Sequence, residues 1–238
     1  MGHDIDWLRS TSRRTPPPPN PDFPMSKSVL PVAPAASIQR VRALLAAGGR
    51  KLLGLVGAPG SGKSTLALAI EREFPGVSQT VPMDGFHLAQ AELQRLGRAA
   101  RKGAPDTFDS AGYAALLRRL RDQAPDETIY APAFHREIEE PIAGAIAVHP
   151  QTQLVITEGN YLLLDDGPWA SIDALLDDVW FVDVDDDLRI ERLTRRHEQF
   201  GRSPQDAAQW VAVTDEPNAR LVALSRPRAK FFVRWDGA

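Results

Sequence analysis

The residues with the clearest chemical pattern are 57–65, GAPGSGKST, which follow a short apolar run. Gly57, four residues, Gly62 and then Lys63 form the spacing of a phosphate-binding loop between a strand and a helix. Glycines let backbone amides approach phosphate oxygens, and the N-terminus of the next helix favours negative charge. The pattern predicts a site for ATP and Mg²⁺, in which Lys63 contacts the β- and γ-phosphates and Ser64 binds the metal. The predicted nucleotide-binding residues are Gly57, Ala58, Pro59, Gly60, Ser61, Gly62, Lys63, Ser64 and Thr65.

An aspartate follows the next apolar run, residues 78–83, and opens the tetrapeptide DGFH at Asp84. A helix of about 12 residues rises about 18 Å, and the returning strand covers a similar distance. Asp84 is therefore expected at the same edge of the sheet as the phosphate loop. A carboxylate there can orient an alcohol and accept its proton during phosphoryl transfer. Asp-Gly is also a common turn dipeptide, so spacing alone leaves a catalytic and a structural role open.

A magnesium-nucleotide site usually includes a carboxylate at the end of an apolar strand. Two acids qualify: Asp183 follows residues 179–182, and Glu158 follows residues 154–157. The more apolar run favours Asp183. The acidic triplet at 185–187 is typical of a helix cap and first turn rather than of a metal site.

Residues 189–202, RIERLTRRHEQFGR, are unusually rich in arginine. Ile190, Leu193 and Phe200 can pack inward, and the arginines cannot all share one helical face, so some must be surface charges. A closing segment can place an arginine on the transferred phosphoryl group and expel water. The pattern therefore favours a helical lid. Its arginines are Arg189, Arg192, Arg195, Arg196 and Arg202.

Short apolar strands alternate with longer amphipathic segments from Ser37 onward. This alternation predicts an α/β fold with a mainly parallel sheet of five to six strands that helices cover on both faces. Together with the phosphate-binding loop, it predicts the three-layer α/β/α fold of a P-loop NTPase. The predicted strands are 51–56, 78–83, 127–131, 153–157, 178–184 and 230–235. The predicted helices are 37–49, 63–74, 87–98, 110–122, 168–176, 186–199, 204–213 and 217–223. We expect one domain over residues 37–238 and a disordered, proline-rich tail over residues 1–36.

Composition narrows the classes of protein and of partner. The 238 residues are 43% hydrophobic and 25% charged, as in ordinary globular domains. The formal net charge of −3 gives no basic footprint for nucleic acid, and no apolar run approaches the roughly 20 residues of a membrane span. Cysteine is absent and the N-terminus lacks the apolar core of a signal peptide. We therefore expect a cytoplasmic protein that binds neither nucleic acid nor membrane.

Four stretches together resemble a known family. Residues 57–65, 83–87 (MDGFH), 102–109 (KGAPDTFD) and 157–163 (TEGNYLL) are similar to P-loop kinases that include uridine kinase, pantothenate kinase and phosphoribulokinase. Within this family, the chain resembles bacterial proteins that are nucleoside/nucleotide kinase-like, or fructokinase-like and linked to sugar transport. The resemblance covers about residues 37–235. These motifs are specific for the superfamily but give little information about the substrate.

The resemblance implies roles for several residues. Asp84 would be the catalytic base, and Glu158, rather than Asp183, would face the metal. Lys63 would act on the phosphates. The arginine-rich run is similar to the lid of uridine kinases, which implies that Arg192 and Arg196 are catalytic. Residues 102–109 resemble a segment of pantothenate kinases that closes over the substrate side.

The resemblance also places the acceptor site at the loop after the third predicted strand. The candidate acceptor-binding residues are His87, Tyr130, His135 and Arg136. The arginine fork suits a polyhydroxylated or anionic acceptor. A small-molecule acceptor such as the sugar fructose is implied first, and a nucleoside or pantothenate-like acceptor is the alternative. Residues 132–136, PAFHR, replace the YDF pattern expected for uridine, which speaks against a nucleoside.

A P-loop regulatory NTPase is an interpretation from a different class. Such a protein needs a residue that orients a hydrolytic water, and no glutamine is evidently placed for this task. Asp84 would also have no role in it. The sequence leaves open whether the chain acts as a monomer or as a homodimer.

Overall fold

The computed structural model describes residues 31–236, so the predicted tail falls largely outside the described part. Within these residues the strands are β1 Lys51–Val56, β2 Ser78–Thr80, β3 Ile129–His135, β4 Glu140–Val148, β5 Leu154–Gly159, β6 Asp178–Asp183 and β7 Phe231–Arg234. The α-helices are α1 Ala35–Ala46, α2 Lys63–Glu73, α3 Gln90–Arg95, α4 Ser110–Arg121, α5 Asp186–Gln199, α6 Pro204–Trp210 and α7 Glu216–Leu224. None of these helices is both long enough and apolar enough to cross a bilayer.

Five strands form a parallel sheet in the order β2, β5, β1, β6, β7. Side chains alternate along β1, so that Leu52 and Val56 enter one core while Leu53 and Leu55 enter the other. Helices α1 and α2 cover the second core, and α4 and α7 contribute to the first. This arrangement confirms the predicted α/β fold with a mainly parallel sheet of five strands.

The third predicted strand does not join that sheet. β3 pairs in antiparallel fashion with β4, and the two form a separate hairpin. The prediction of a parallel strand at 127–131 was therefore wrong in its pairing, because a short local turn lets β3 pair with the chain that follows. The acidic segment 137–141 is the tip of this hairpin and the start of β4.

Some helix boundaries also differ from the predicted ones. The segment predicted as a helix over 168–176 forms two 3-10 turns, Gly167–Ser171 and Asp173–Leu175, the first of which begins next to a proline. Residues 87–98 contain only the short helix α3. Between α6 and α7 the helix widens into a π-helical turn, Val211–Asp215, a feature that is often found near functional sites.

Candidate active site

The phosphate loop lies between the end of β1 and the start of α2, as the spacing predicts. Gly60 and Gly62 have φ values of 80° and 84°, which glycine adopts without strain. A Cβ at Gly60 would also lie 2.7 Å from Leu193 Cγ of α5. The arginine-rich helix thus packs directly over the loop, and glycine is needed for this close approach.

Lys63 is buried at the start of α2. Its ammonium group donates hydrogen bonds to the carbonyl oxygens of Gly57 and Ala58, each at 3.0 Å, and to Asn160 Oδ1 at 2.9 Å. Burial lowers the pKa of Lys63 to about 8, against the attraction of Glu158 and Asp84. Lys63 therefore lies in the loop with every N–H donor paired.

Glu158 lies beside the loop because β5 pairs with β1, which places Glu158 opposite Leu55. Its Oε1 accepts a hydrogen bond from Ser64 Oγ at 2.8 Å. Burial raises the pKa of Glu158, as does the neighbouring Asp84 carboxylate. The structure brings Ser64 and Glu158 together. Asp183 lies elsewhere and accepts from Arg226 at 3.1 Å.

Asp84 belongs to a 3-10 turn, Met83–Phe86, that follows β2. Its Oδ2 accepts from Arg136 Nη2 of the hairpin at 3.2 Å. Burial alone would raise the pKa of Asp84, but the neighbouring His87 ring and the cations Arg136, Lys63 and Arg196 hold it below its usual value. The Asp-Gly dipeptide is thus a turn that also presents a carboxylate to a cavity beside the phosphate loop.

His87 lies against two aromatic rings at the wall of the same cavity. Its ring centroid is 4.0 Å from that of Phe108 and 4.5 Å from that of Phe134. Its Nδ1 lies 2.8 Å from the carbonyl oxygen of Asp84. Since a carbonyl only accepts, Nδ1 carries the hydrogen, and Nε2 of the neutral ring is an acceptor. Burial lowers the pKa of His87, which favours this neutral form.

The arginines of the predicted lid have different surroundings. Arg196 lines the cavity, and burial lowers its pKa, with Arg136 adding to the effect. Arg192 does not reach the cavity, since its Nη2 donates to the carbonyl of Asp236 at 2.8 Å. Arg195 pairs with Glu191 on the surface. Arg202 lies 4.0 Å from the centroid of Trp210, at the cavity edge.

A cavity of about 550 Å³ lies beside the phosphate loop. Of the predicted site residues, those that line it include Pro59, Gly60, Lys63, Ser64, Asp84, His87, Arg136, Glu158 and Arg196. Tyr130 and His135 do not line it. They lie on the hairpin with exposed side chains, 60% exposed in the case of Tyr130, on either side of a register shift between Ala131 and Ala133 of β3.

The cavity also includes residues that the sequence did not single out as site residues, among them Asn160 and Lys102. Asn160 follows Glu158 by two residues, and this period of two along an extended chain could have indicated that both face the loop. Lys102 donates to the carbonyl of Glu139 and lies 5.2 Å from the ring of Phe134. Because Glu139 is 37 residues away from Lys102 in the sequence, no local pattern indicates this contact.

Comparison with known proteins agrees with this geometry. No family model matches the chain. The ATP-dependent kinase-like protein notR' of Aspergillus versicolor is 40% identical over 152 residues, which are 60% of this chain and 88% of that protein. A Schizosaccharomyces pombe protein provisionally named uridine kinase is 37% identical over 157 residues, 62% of this chain and 66% of that protein.

A solved structure from Silicibacter sp. TM1040, provisionally named a fructose transport system kinase, is 37% identical to the chain. The match has a TM-score of 0.74 and covers 83% of this chain and 97% of that one. The fold, the phosphate loop and these relatives all indicate a P-loop kinase. The chain belongs to a family of ATP-dependent P-loop kinases, which are phosphotransferases with an alcohol group as acceptor.

Proposed function

We propose that the protein transfers the γ-phosphoryl group of MgATP to a hydroxyl group of a small polyhydroxylated acceptor, with a sugar such as fructose as the first candidate. The observation that carries the proposal is the position of Asp84, which shares one cavity with Lys63 and Ser64 of the phosphate loop. A carboxylate there can contact an incoming hydroxyl group and the terminal phosphate together.

Ser64 and Glu158 would hold Mg²⁺. In residues 31–236 no group of three or more His, Cys, Asp or Glu side chains could hold a metal by itself. Mg²⁺ usually takes only one or two protein carboxylates together with substrate phosphates and water, so a hydroxyl and a carboxylate 2.8 Å apart fit it. When bound, the ion neutralises charge on the phosphates.

The protein groups account for the remaining chemistry. Asp84 accepts the proton of the acceptor hydroxyl group while the oxygen of that hydroxyl group bonds to the γ-phosphorus. The bond between that phosphorus and the β–γ bridging oxygen breaks, and ADP leaves. Lys63 and Arg196 stabilise the phosphoryl charge, and α5 with the residues that follow it excludes water. Arg192, which contacts Asp236 instead, would need a rearrangement to take part.

The acceptor side supports a substrate with several hydroxyl groups. Nε2 of His87 accepts a hydrogen bond from one hydroxyl group while Asp84 engages another. Arg136, which holds Asp84 in the free protein, becomes available to acceptor oxygens once the hydroxyl group replaces it. The name of the Silicibacter relative favours a sugar.

A nucleoside or pantothenate-like acceptor is the second candidate. The name of the S. pombe relative favours a nucleoside, whereas the sequence of 132–136 speaks against it. Neither acceptor changes the roles of Asp84 and Lys63. The cytoplasmic location stays a prediction.

ADP release tests the proposal across a panel of sugars, nucleosides and vitamin precursors. We expect one acceptor to raise ADP formation at least a hundredfold above the rate without acceptor, since a positioned base contributes about 10²–10⁴-fold. Asp84→Asn should lose this response. Its control is Asp122→Asn, which replaces an exposed carboxylate at the end of α4 and should respond as the unmodified protein does. Rapid hydrolysis that no alcohol stimulates would contradict a kinase and favour a regulatory NTPase.

A further inference from the structure

The ammonium group of Lys63 has three N–H donors, and each has one acceptor. Two acceptors, the carbonyl oxygens of Gly57 and Ala58, belong to the phosphate loop itself. The third, Asn160 Oδ1 at 2.9 Å, comes from a different element and is a neutral side chain. The direction of the Lys63 side chain therefore depends on Asn160.

Asn160 and Glu158 reach the loop from the end of the same strand. Glu158 accepts from Ser64, and Asn160 accepts from the adjacent Lys63. Gly159, between them, leaves no room for a Cβ, which would lie 2.6 Å from Met83 Sδ and 2.8 Å from Leu162 Cδ1. This close packing fixes the backbone and hence the direction in which both side chains point.

The alternative partner for Lys63 is the carboxylate of Glu158, two residues before Asn160 and already bonded to the next residue of the loop. An ion pair between Lys63 and Glu158 would occupy both the cation for the phosphates and the carboxylate for the metal. A neutral amide forms a weaker bond to an ammonium group than a carboxylate does, so an incoming phosphate can displace it.

We infer that Asn160 is a positioning residue that directs Lys63 toward the phosphates and keeps it apart from Glu158. The inference does not depend on the identity of the acceptor. It predicts that substitutions at Asn160 change the affinity for a nucleoside triphosphate through Lys63, while the KM for the acceptor is nearly unchanged.

Binding of a non-hydrolysable ATP analogue with Mg²⁺, followed by calorimetry, tests the inference. Asn160→Ala should weaken binding about five- to tenfold, a factor that corresponds to about one hydrogen bond, because Lys63 without its amide acceptor pairs with Glu158 and this ion pair must break before the phosphates bind. Asn160→Asp, which keeps the shape but adds a charge, should weaken it at least as much, because the carboxylate retains Lys63 and repels phosphate. Gln153→Ala, an exposed amide just before the other end of β5, should bind normally.

A double-mutant cycle with Lys63→Met separates positioning from a purely structural role. If Asn160 acts through Lys63, Asn160→Ala should have no further effect on binding once Lys63 is replaced. The inference fails if Asn160→Ala tightens binding or leaves it unchanged, or if its effect is as large in the Lys63→Met protein. It also fails if Asn160→Asp binds the analogue as well as the unmodified protein does.

Discussion

In the proposed reaction, the acceptor chemistry depends on the pair formed by Asp84 and Arg136. The carboxylate is a base only when ionised, and the arginine 3.2 Å away helps to keep it ionised at low pH. The same arginine holds Asp84 when no acceptor is present. If Asp84 is the base, this single ion pair links its ionisation to the occupancy of the acceptor site.

Replacing Arg136 by glutamine removes one of the cations near Asp84, so the pKa of Asp84 should rise. Because the base must be ionised, the acid limb of kcat/KM against pH should move to higher pH. The KM for the acceptor should increase as well. The measurement is the pH profile of acceptor-dependent ADP formation.

Arg195→Gln is the matched control, because Arg195 carries the same charge but pairs with Glu191 on the surface of α5. Its acid limb should coincide with that of the unmodified protein. If Arg136→Gln also leaves the acid limb in place, Arg136 does not act on Asp84.

Residue-level prediction from sequence succeeded where a motif fixes the local geometry. The loop spacing placed Lys63 and Ser64 at the start of a helix, and the resemblance placed Glu158 beside Ser64. The sequence could not indicate which arginine of α5 faces the cavity, because Arg192 and Arg196 are one helical turn apart and their neighbours come from other elements. The catalytic roles of these residues stay predictions.

At the scale of elements, Arg50 connects the amino-terminal side of the sheet to its surroundings. This residue just before β1 donates to the carbonyl oxygens of Leu120, His149, Pro150 and Thr152, at distances from 2.8 to 3.1 Å. It also donates to Gln123 Oε1. The end of α4 and the turn between β4 and β5 are thus attached to β1 through one guanidinium group.

Arg50→Lys should lower the free energy of unfolding by about 2–3 kcal/mol. A lysine keeps the charge but has three donors instead of five and cannot reach all of these carbonyls. Urea denaturation measures the change. Arg42→Lys on the exposed side of α1 is the control and should change stability by less than about 0.5 kcal/mol. Equal stability of both variants would show that the Arg50 bonds contribute little.

Most strands of the parallel sheet were predictable because they are short apolar runs, whereas β2 comprises only the polar residues SQT at the start of the predicted run 78–83. The hairpin was not predictable, since β4 has the sequence EPIAGAIAV, in which small residues and a glycine give no clear alternation. Its partner β3 looked like one more strand of the same sheet. Pairing is decided by contacts between elements, and periodicity within one element does not contain that information.

For the whole molecule, Asp178 links the helical layer to the sheet. Its carboxylate accepts from Arg40 Nε of α1 at 2.5 Å and from Trp180 Nε1 at 2.8 Å. Burial would raise the pKa of Asp178, but these hydrogen bonds bring it below its usual value. A depressed pKa in the folded state stabilises the protein above the unfolded pKa of about 4, and this contribution is lost as the pH falls through the folded pKa.

Asp178→Asn should therefore lower stability at pH 7 by about 1–2 kcal/mol, a modest value because Arg40 is partly exposed. It should also flatten the loss of stability on acidification below about pH 5. Urea unfolding at a series of pH values measures both effects. An Asp178→Asn protein with the same acid dependence as the unmodified chain would exclude this carboxylate as a source of that dependence.

The proposed reaction requires Asp84 to accept the proton of an acceptor hydroxyl group at the phosphate loop. The most direct test is the single-turnover rate of phosphoryl transfer to the stimulating acceptor in Asp84→Asn, with affinity for an ATP analogue measured in parallel. We expect a loss of about 10²–10⁴-fold in rate with analogue affinity nearly unchanged. An Asp84→Asn protein that transfers phosphate at the unmodified rate would contradict the account.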